Sequence, residues 1–194
     1  MLPFVSGPED LHAALELLAE AQAGLTREGA TFSADVPLGI IVEIPSAALT
    51  ADLLAREVDF LSVGTNDLIQ YLLAVDRVDP RVSALYQPLH PAVLRTIQQV
   101  VRAGEQNRVP VALCGEMAAD PLQALVLVGL GVRELSMSPA AIPRVKAAIR
   151  GVSAAHARQV AEACLGRTTA AEIEATLRRE LAIALDPAQT ESPT

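Results

Sequence analysis

Glu43, Asn66 with Asp67, and Cys114 each close a short apolar run, and Arg77 lies one helical stretch beyond Asp67. The densest group is Asp59-Phe-Leu-Ser-Val-Gly64-Thr-Asn66-Asp67-Leu-Ile-Gln70-Tyr-Leu-Leu-Ala-Val-Asp-Arg77. Phe60 to Val63 has the composition of a buried strand, Gly64 lets the backbone approach a ligand closely, and helical spacing resumes at Leu68. The N–H groups of Thr65 to Leu68 then form a helix N-terminus, which favours an anion such as phosphate. A carboxylate beside a phosphate site implies a divalent cation between them. Glu43 and Asp67, completed by ligand oxygens and water, make a hard oxygen site that favours Mg2+ over zinc.

Each of these residues has a plainer reading. Glu43 ends Gly39-Ile-Ile-Val and is costly to bury unless it meets an arginine or a metal. Asn66 can cap the helix that follows it. A lone loop arginine such as Arg77 is usually solvated, and a lone cysteine such as Cys114 is usually a small buried hydrophobe. Cys164, set among alanines and a leucine, keeps that second reading. Gly129-Leu-Gly131 lacks the third glycine of a nucleotide fingerprint and reads as a turn.

The elements that position these residues alternate. Met1 to Val5, Gly39 to Val42, Phe60 to Val63, Val109 to Leu113 and Leu135 to Met137 read as strands, with helical patterns between them. Pro8, Glu9 and Asp10 open the first helix, Leu11, Leu15 and Leu18 give it an apolar face, and Gly29 ends it. Continuous apolar strands alternating with helices predict a parallel sheet covered by helices, with ligands beyond the strands' carboxyl ends. The polar residues singled out above all fall at that end. After Arg150 the pattern is helical only: Ser153 can cap one helix, and Thr169 with Glu172 matches a capping box for the next. The polar stretch 186–194 is expected to be a disordered tail. Five strands suffice for an open sheet and not for an eight-stranded barrel.

Composition narrows the function classes. The 194 residues, 51% of them hydrophobic, can bury one sizeable core. No apolar run approaches the roughly 18 residues of a membrane span, and no secretory signal is visible, so a cytoplasmic setting is expected. The widely separated Cys114 and Cys164 form no disulfide or zinc pattern. A net charge of -8 with few aromatics argues against nucleic acid and for a small-molecule or protein partner.

From Gly39 onward the sequence resembles the phosphoenolpyruvate-binding domain of the phosphoenolpyruvate-protein phosphotransferase family, enzyme I of the bacterial sugar phosphotransferase system. The carriers are Gly39-Ile-Ile-Val-Glu43-Ile-Pro45, Ser62 to Arg77, Leu85-Tyr-Gln-Pro88, Cys114-Gly-Glu-Met-Ala118 and Leu135-Ser-Met-Ser138. The Ser62 to Arg77 block is highly specific to enzymes that use phosphoenolpyruvate, and the likeness weakens only after Pro187.

The resemblance implies a partial (β/α)8 TIM barrel, about strands four to eight with extra C-terminal helices, over residues 1–185. It implies Mg2+ held by Glu43 and Asp67, with Asp67, Asn66 and Arg77 at the substrate and its phosphoryl group. It makes Cys114 the acid that protonates the methylene carbon of the enolate left by phosphoryl loss. The phosphoryl group then passes to a histidine on a separate domain and on to a phosphocarrier protein, and the family's habit implies a homodimer. His12, His90 and His156 lack the sequence context of the phosphorylated histidine. The local signature is shared with phosphoenolpyruvate synthase and pyruvate phosphate dikinase. Mg2+-dependent lyases of pyruvate enolate chemistry share the two carboxylates, but would need neither Arg77 nor a phosphohistidine. A noncatalytic, dimerising fragment is the reading from a different class.

Overall fold

The apolar runs pair into one four-stranded parallel sheet in a computed structural model that describes residues 1–181. Strands β1 (Gly39–Val42), β2 (Phe60–Gly64), β3 (Val111–Cys114) and β4 (Glu134–Ser136) lie side by side in chain order. Helix α1 (Pro8–Arg27) precedes β1, α2 (Pro45–Leu49) and α3 (Ala51–Leu54) follow it, and α4 (Thr65–Leu73) and α5 (Pro91–Asn107) follow β2. β3 leads into α6 (Glu116–Ala119) and α7 (Pro121–Gly129), and β4 into α8 (Ile142–Arg150). α9 (Ala154–Leu165) and α10 (Ala170–Glu180) complete the described chain.

Side chains alternate across a strand, so the sheet has two unlike faces. Ile40, Val42, Leu61, Val63 and Leu113 are fully buried and share one core with Ile97 of α5 and Leu125 of α7. The intervening residues Ile41, Ser62, Ala112, Cys114 and Ser136 point the other way. The helices cover the first face; the second bounds a cavity of about 490 Å3 whose lining includes Phe60, Ser62, Cys114 and Ser136.

The expected first strand is corrected to a single bridge. Leu2 N–H donates to Gly39 O, and Ile41 N–H to Leu2 O, both at 2.8 Å. Pro3 then offers no N–H, and Phe4 turns to a φ of +54°, which takes the chain out of the ladder. The segment therefore lies beside β1 where a strand was expected, without being one. Among the described residues nothing pairs with the outer edge of β4, and the sheet they form has four parallel strands.

The helix signals are largely met. Ser153 accepts from His156 N–H at the start of α9, and Thr169 with Glu172 forms the capping box of α10. Gly29, with a φ of +67°, stands just past α1, and Gly131, with a φ of +104°, makes the turn after α7. The apolar face of α1 is only partly covered: Leu11 is fully buried, whereas Leu18 is 42% exposed, because the packing against α1 is concentrated at its N-terminal end. The expected tail, 186–194, lies outside the described residues.

Candidate active site

Parallel register carries the chemistry into one row. Val42 pairs with Val63, which sets Glu43 beside Gly64, and Gly64 pairs with Cys114, which pairs with Ser136. The row runs across the carboxyl ends of all four strands. Gly64 is required there: a Cβ on it would stand 2.9 Å from Glu43 Oε2 and 2.8 Å from Ile41 Cγ2. Glu43 is 5% exposed, and its Oε1 accepts the Phe4 N–H at 2.8 Å. The plainer reading of Glu43 as half of an arginine pair fails, since no cation pairs with it among the described residues.

Asn66 does not cap its helix. α4 already begins at Thr65, with Gly64 as N-cap and no side-chain cap bond. Asn66 Oδ1 instead accepts the Glu116 N–H at 3.0 Å, and Thr65 Oγ1 donates to Cys114 O at 3.0 Å. These two bonds tie the start of α4 to the start of α6 across the strand ends. Gly115, with a φ of +116°, lies between them, and a Cβ there would overlap Thr65 Oγ1. Asp67 sits in the first turn of α4, half-buried, with no hydrogen-bond partner on its carboxylate among the described residues.

Arg77 closes the opposite side. Its N–H donates to Gln70 Oε1 at 3.3 Å, and its Nη1 lies 3.9 Å from Glu116 Oε1. Tyr86 joins this group by donating its hydroxyl to Asn66 O at 3.4 Å. Burial pushes its phenol up to about 12; the Arg77 charge works against this, and Glu116 and Asp67 add to it. The phenol is thus a neutral hydrogen-bond donor at ordinary pH. Sequence reasoning assigned no role to Ser62, Thr65, Tyr86 or Glu116, although each lies inside a block that carried the family resemblance.

Cys114 is partly exposed on the open face, where its Sγ accepts from Ser62 Oγ at 3.7 Å. Cys164 is buried in α9, and burial pushes its thiol up to about 11, which suits the inert reading. The three histidines are engaged elsewhere. His12 Nε2 lies 2.7 Å from Glu57 Oε2, His90 Nδ1 accepts from Ala92 N–H as the cap of α5, and His156 Nε2 meets Glu180 O at 3.0 Å.

The donor set fits a hard cation only in part. Among the described residues no three His, Cys, Asp or Glu side chains gather as a metal cluster. Glu43 Oε2 and the Asp67 carboxylate, however, have no other hydrogen-bond partner there. Two free carboxylate groups are oxygen donors of the kind hard cations take, and a hard cation there would need its remaining ligands from substrate and water.

A parallel α/β sheet with carboxylate, amide and thiol groups on the carboxyl ends of successive strands is the framework of an α/β enzyme site. Residues 1–154 match the family described as PEP-utilising enzyme, PEP-binding domain, and the chain belongs to that family. It is 43% identical over 173 residues to the phosphoenolpyruvate-protein phosphotransferase of Priestia megaterium, covering 89% of this chain and 30% of that protein. The Haemophilus influenzae protein of the same name is 42% identical over 174 residues, 90% of this chain and 30% of its own length. The Geobacillus stearothermophilus one is 39% identical over 184 residues, 95% and 32% respectively. The chain thus spans about a third of the length of these relatives.

Proposed function

We propose that this chain is the phosphoenolpyruvate-binding part of a cytoplasmic phosphotransferase of the sugar phosphotransferase system. The observation that carries the reading is the placement of Glu43, Asn66 with Asp67, and Cys114 at the same ends of adjacent parallel strands, in a chain of this family. In the whole enzyme the sheet is part of a (β/α)8 barrel, and the acceptor histidine comes from another domain.

Asn66 and the α4 N-terminus bind the phosphoryl oxygens, and the planar fork of Arg77 clamps them in two directions. Glu43 and Asp67 would hold Mg2+, which would supply positive charge to offset the charge developing on the substrate. The bond from phosphorus to the enol oxygen breaks as a bond from phosphorus to the histidine nitrogen forms, leaving the enolate of pyruvate. The Cys114 S–H bond then breaks, its proton joining the methylene carbon through the enolate electron pair, and the thiolate regains a proton from water. The phosphoryl group moves on to the phosphocarrier protein.

Titration calorimetry with phosphoenolpyruvate tests this reading. Binding is expected only with Mg2+ present, and Asp67→Ala is expected to weaken it at least about tenfold, as loss of a charged metal or phosphate contact does. Equal binding with and without Mg2+ by parent and variant would sink the assignment. A second reading is a noncatalytic, dimerising piece, motivated by the exposed leucines of α1 and the unpaired edge of β4. A homodimer that binds no phosphoenolpyruvate favours it.

A further inference from the structure

Ser62 is the one hydroxyl in the interior of the four strands that is almost wholly buried, at 5% exposure. A buried hydroxyl costs free energy unless it is hydrogen-bonded, and here its side-chain partner among the described residues is Cys114 Sγ at 3.7 Å. Phe60, Ser62 and Gly64 share the open face, so the hydroxyl and the thiol meet on the side that bounds the cavity. Ser62 pairs with Ala112 while Cys114 pairs with Gly64, which makes the contact diagonal across two strands. The small neighbours Ala112 and Gly64 leave that diagonal clear.

We infer that Ser62 is the positioning residue for Cys114: its O–H donates to the sulfur, fixes the thiol on the open face and supports the thiolate left after proton transfer. This rests on the reading of Cys114 as the proton donor. A hydroxyl donor gains strength when its acceptor becomes charged, so the bond is worth most at the moment the proton has left. Met1, Arg133 and Glu134 line the same cavity as the thiol, Glu43 and Glu116 stand at the same strand ends, and Asp67 and Arg77 belong to the rim beyond them. All remain in place when Ser62 alone is changed.

The test is site-resolved alkylation of the full chain with iodoacetamide across a pH series, with Cys114 and Cys164 separated by peptide mass spectrometry. In Ser62→Ala the alkylation profile of Cys114 is expected to move to higher pH. Below its midpoint the rate should drop about threefold to tenfold, the size of one hydrogen bond to a charged acceptor. Ser62→Thr, which keeps the hydroxyl, should return the profile to that of the parent. Coincident profiles for parent and Ser62→Ala, or equal displacement in both variants, would overturn the inference; thermal melts of both check that the fold persists. Deuterium uptake into the pyruvate methyl group, run in parallel with Mg2+, reads the function separately. A displaced profile without deuterium uptake keeps Ser62 and removes the catalytic reading, and uptake with an undisplaced profile does the reverse.

Discussion

Leu113 and Cys114 are neighbours on one strand and belong to different worlds. Leu113 faces the helices, is fully buried and belongs to the apolar core. Cys114 faces the open side, is partly exposed and meets a hydroxyl. Glu43 follows Val42 and Gly64 follows Val63 in the same alternation, although both are themselves buried. One face of the sheet is specified by volume and the other by chemistry, and a single peptide unit separates them. The backbone that carries the reactive groups is therefore held by the residues between them, which take no part in the chemistry.

Exchanging the two kinds of residue puts that division at risk. The largest effect belongs to Cys114→Ala: deuterium uptake into pyruvate should drop by two to four orders of magnitude, about the worth of a general acid, with stability lowered by no more than the lost Ser62 hydrogen bond, about 1–3 kcal/mol. A residual rate within threefold of the parent removes the thiol from the mechanism. Leu113→Ala should do the opposite, lowering the unfolding free energy in urea by about 2–5 kcal/mol through the cavity left in the core. Its deuterium uptake, measured where the variant is still folded, should stay near that of the parent.

The smallest effect sharpens the rim rather than the faces. The Tyr86 phenol, pushed up to about 12 by burial, lies above its unfolded value near 10, so the unfolded chain gives up the proton first. The contribution to stability is complete below about pH 10 and is lost as pH rises toward 12. Urea midpoints for the parent and Tyr86→Phe should therefore diverge between about pH 10 and 12, with the parent falling faster; parallel curves would separate Tyr86 from its charged neighbours.

Much of this division was legible in the sequence. The four apolar runs that became strands are short and bounded by polar residues, and the ends holding Glu43, Asp67 and Cys114 follow from their parallel order. The bridge at Leu2 was not, because Pro3 and the turn at Phe4 compete with an otherwise strand-like composition. Asn66 misled for a related reason: the residue type that caps helices also bridges loops, and only the fold shows Glu116 N–H opposite it. Tyr86 and Ser62 stayed hidden because an isolated tyrosine or serine has no spacing to read. Their meaning lies in contacts 20 and 52 residues away along the chain.

The strict chain order of β1 to β4 also bears on how such a molecule grows. Each strand with its helices adds to the flank of the one before, so no earlier pairing must be undone to receive the next. Glu43, Gly64, Cys114 and Ser136 enter their row in the order in which they are synthesised. A further strand could be laid against β4 without altering the register of any of them, which makes the row extensible as well as ordered.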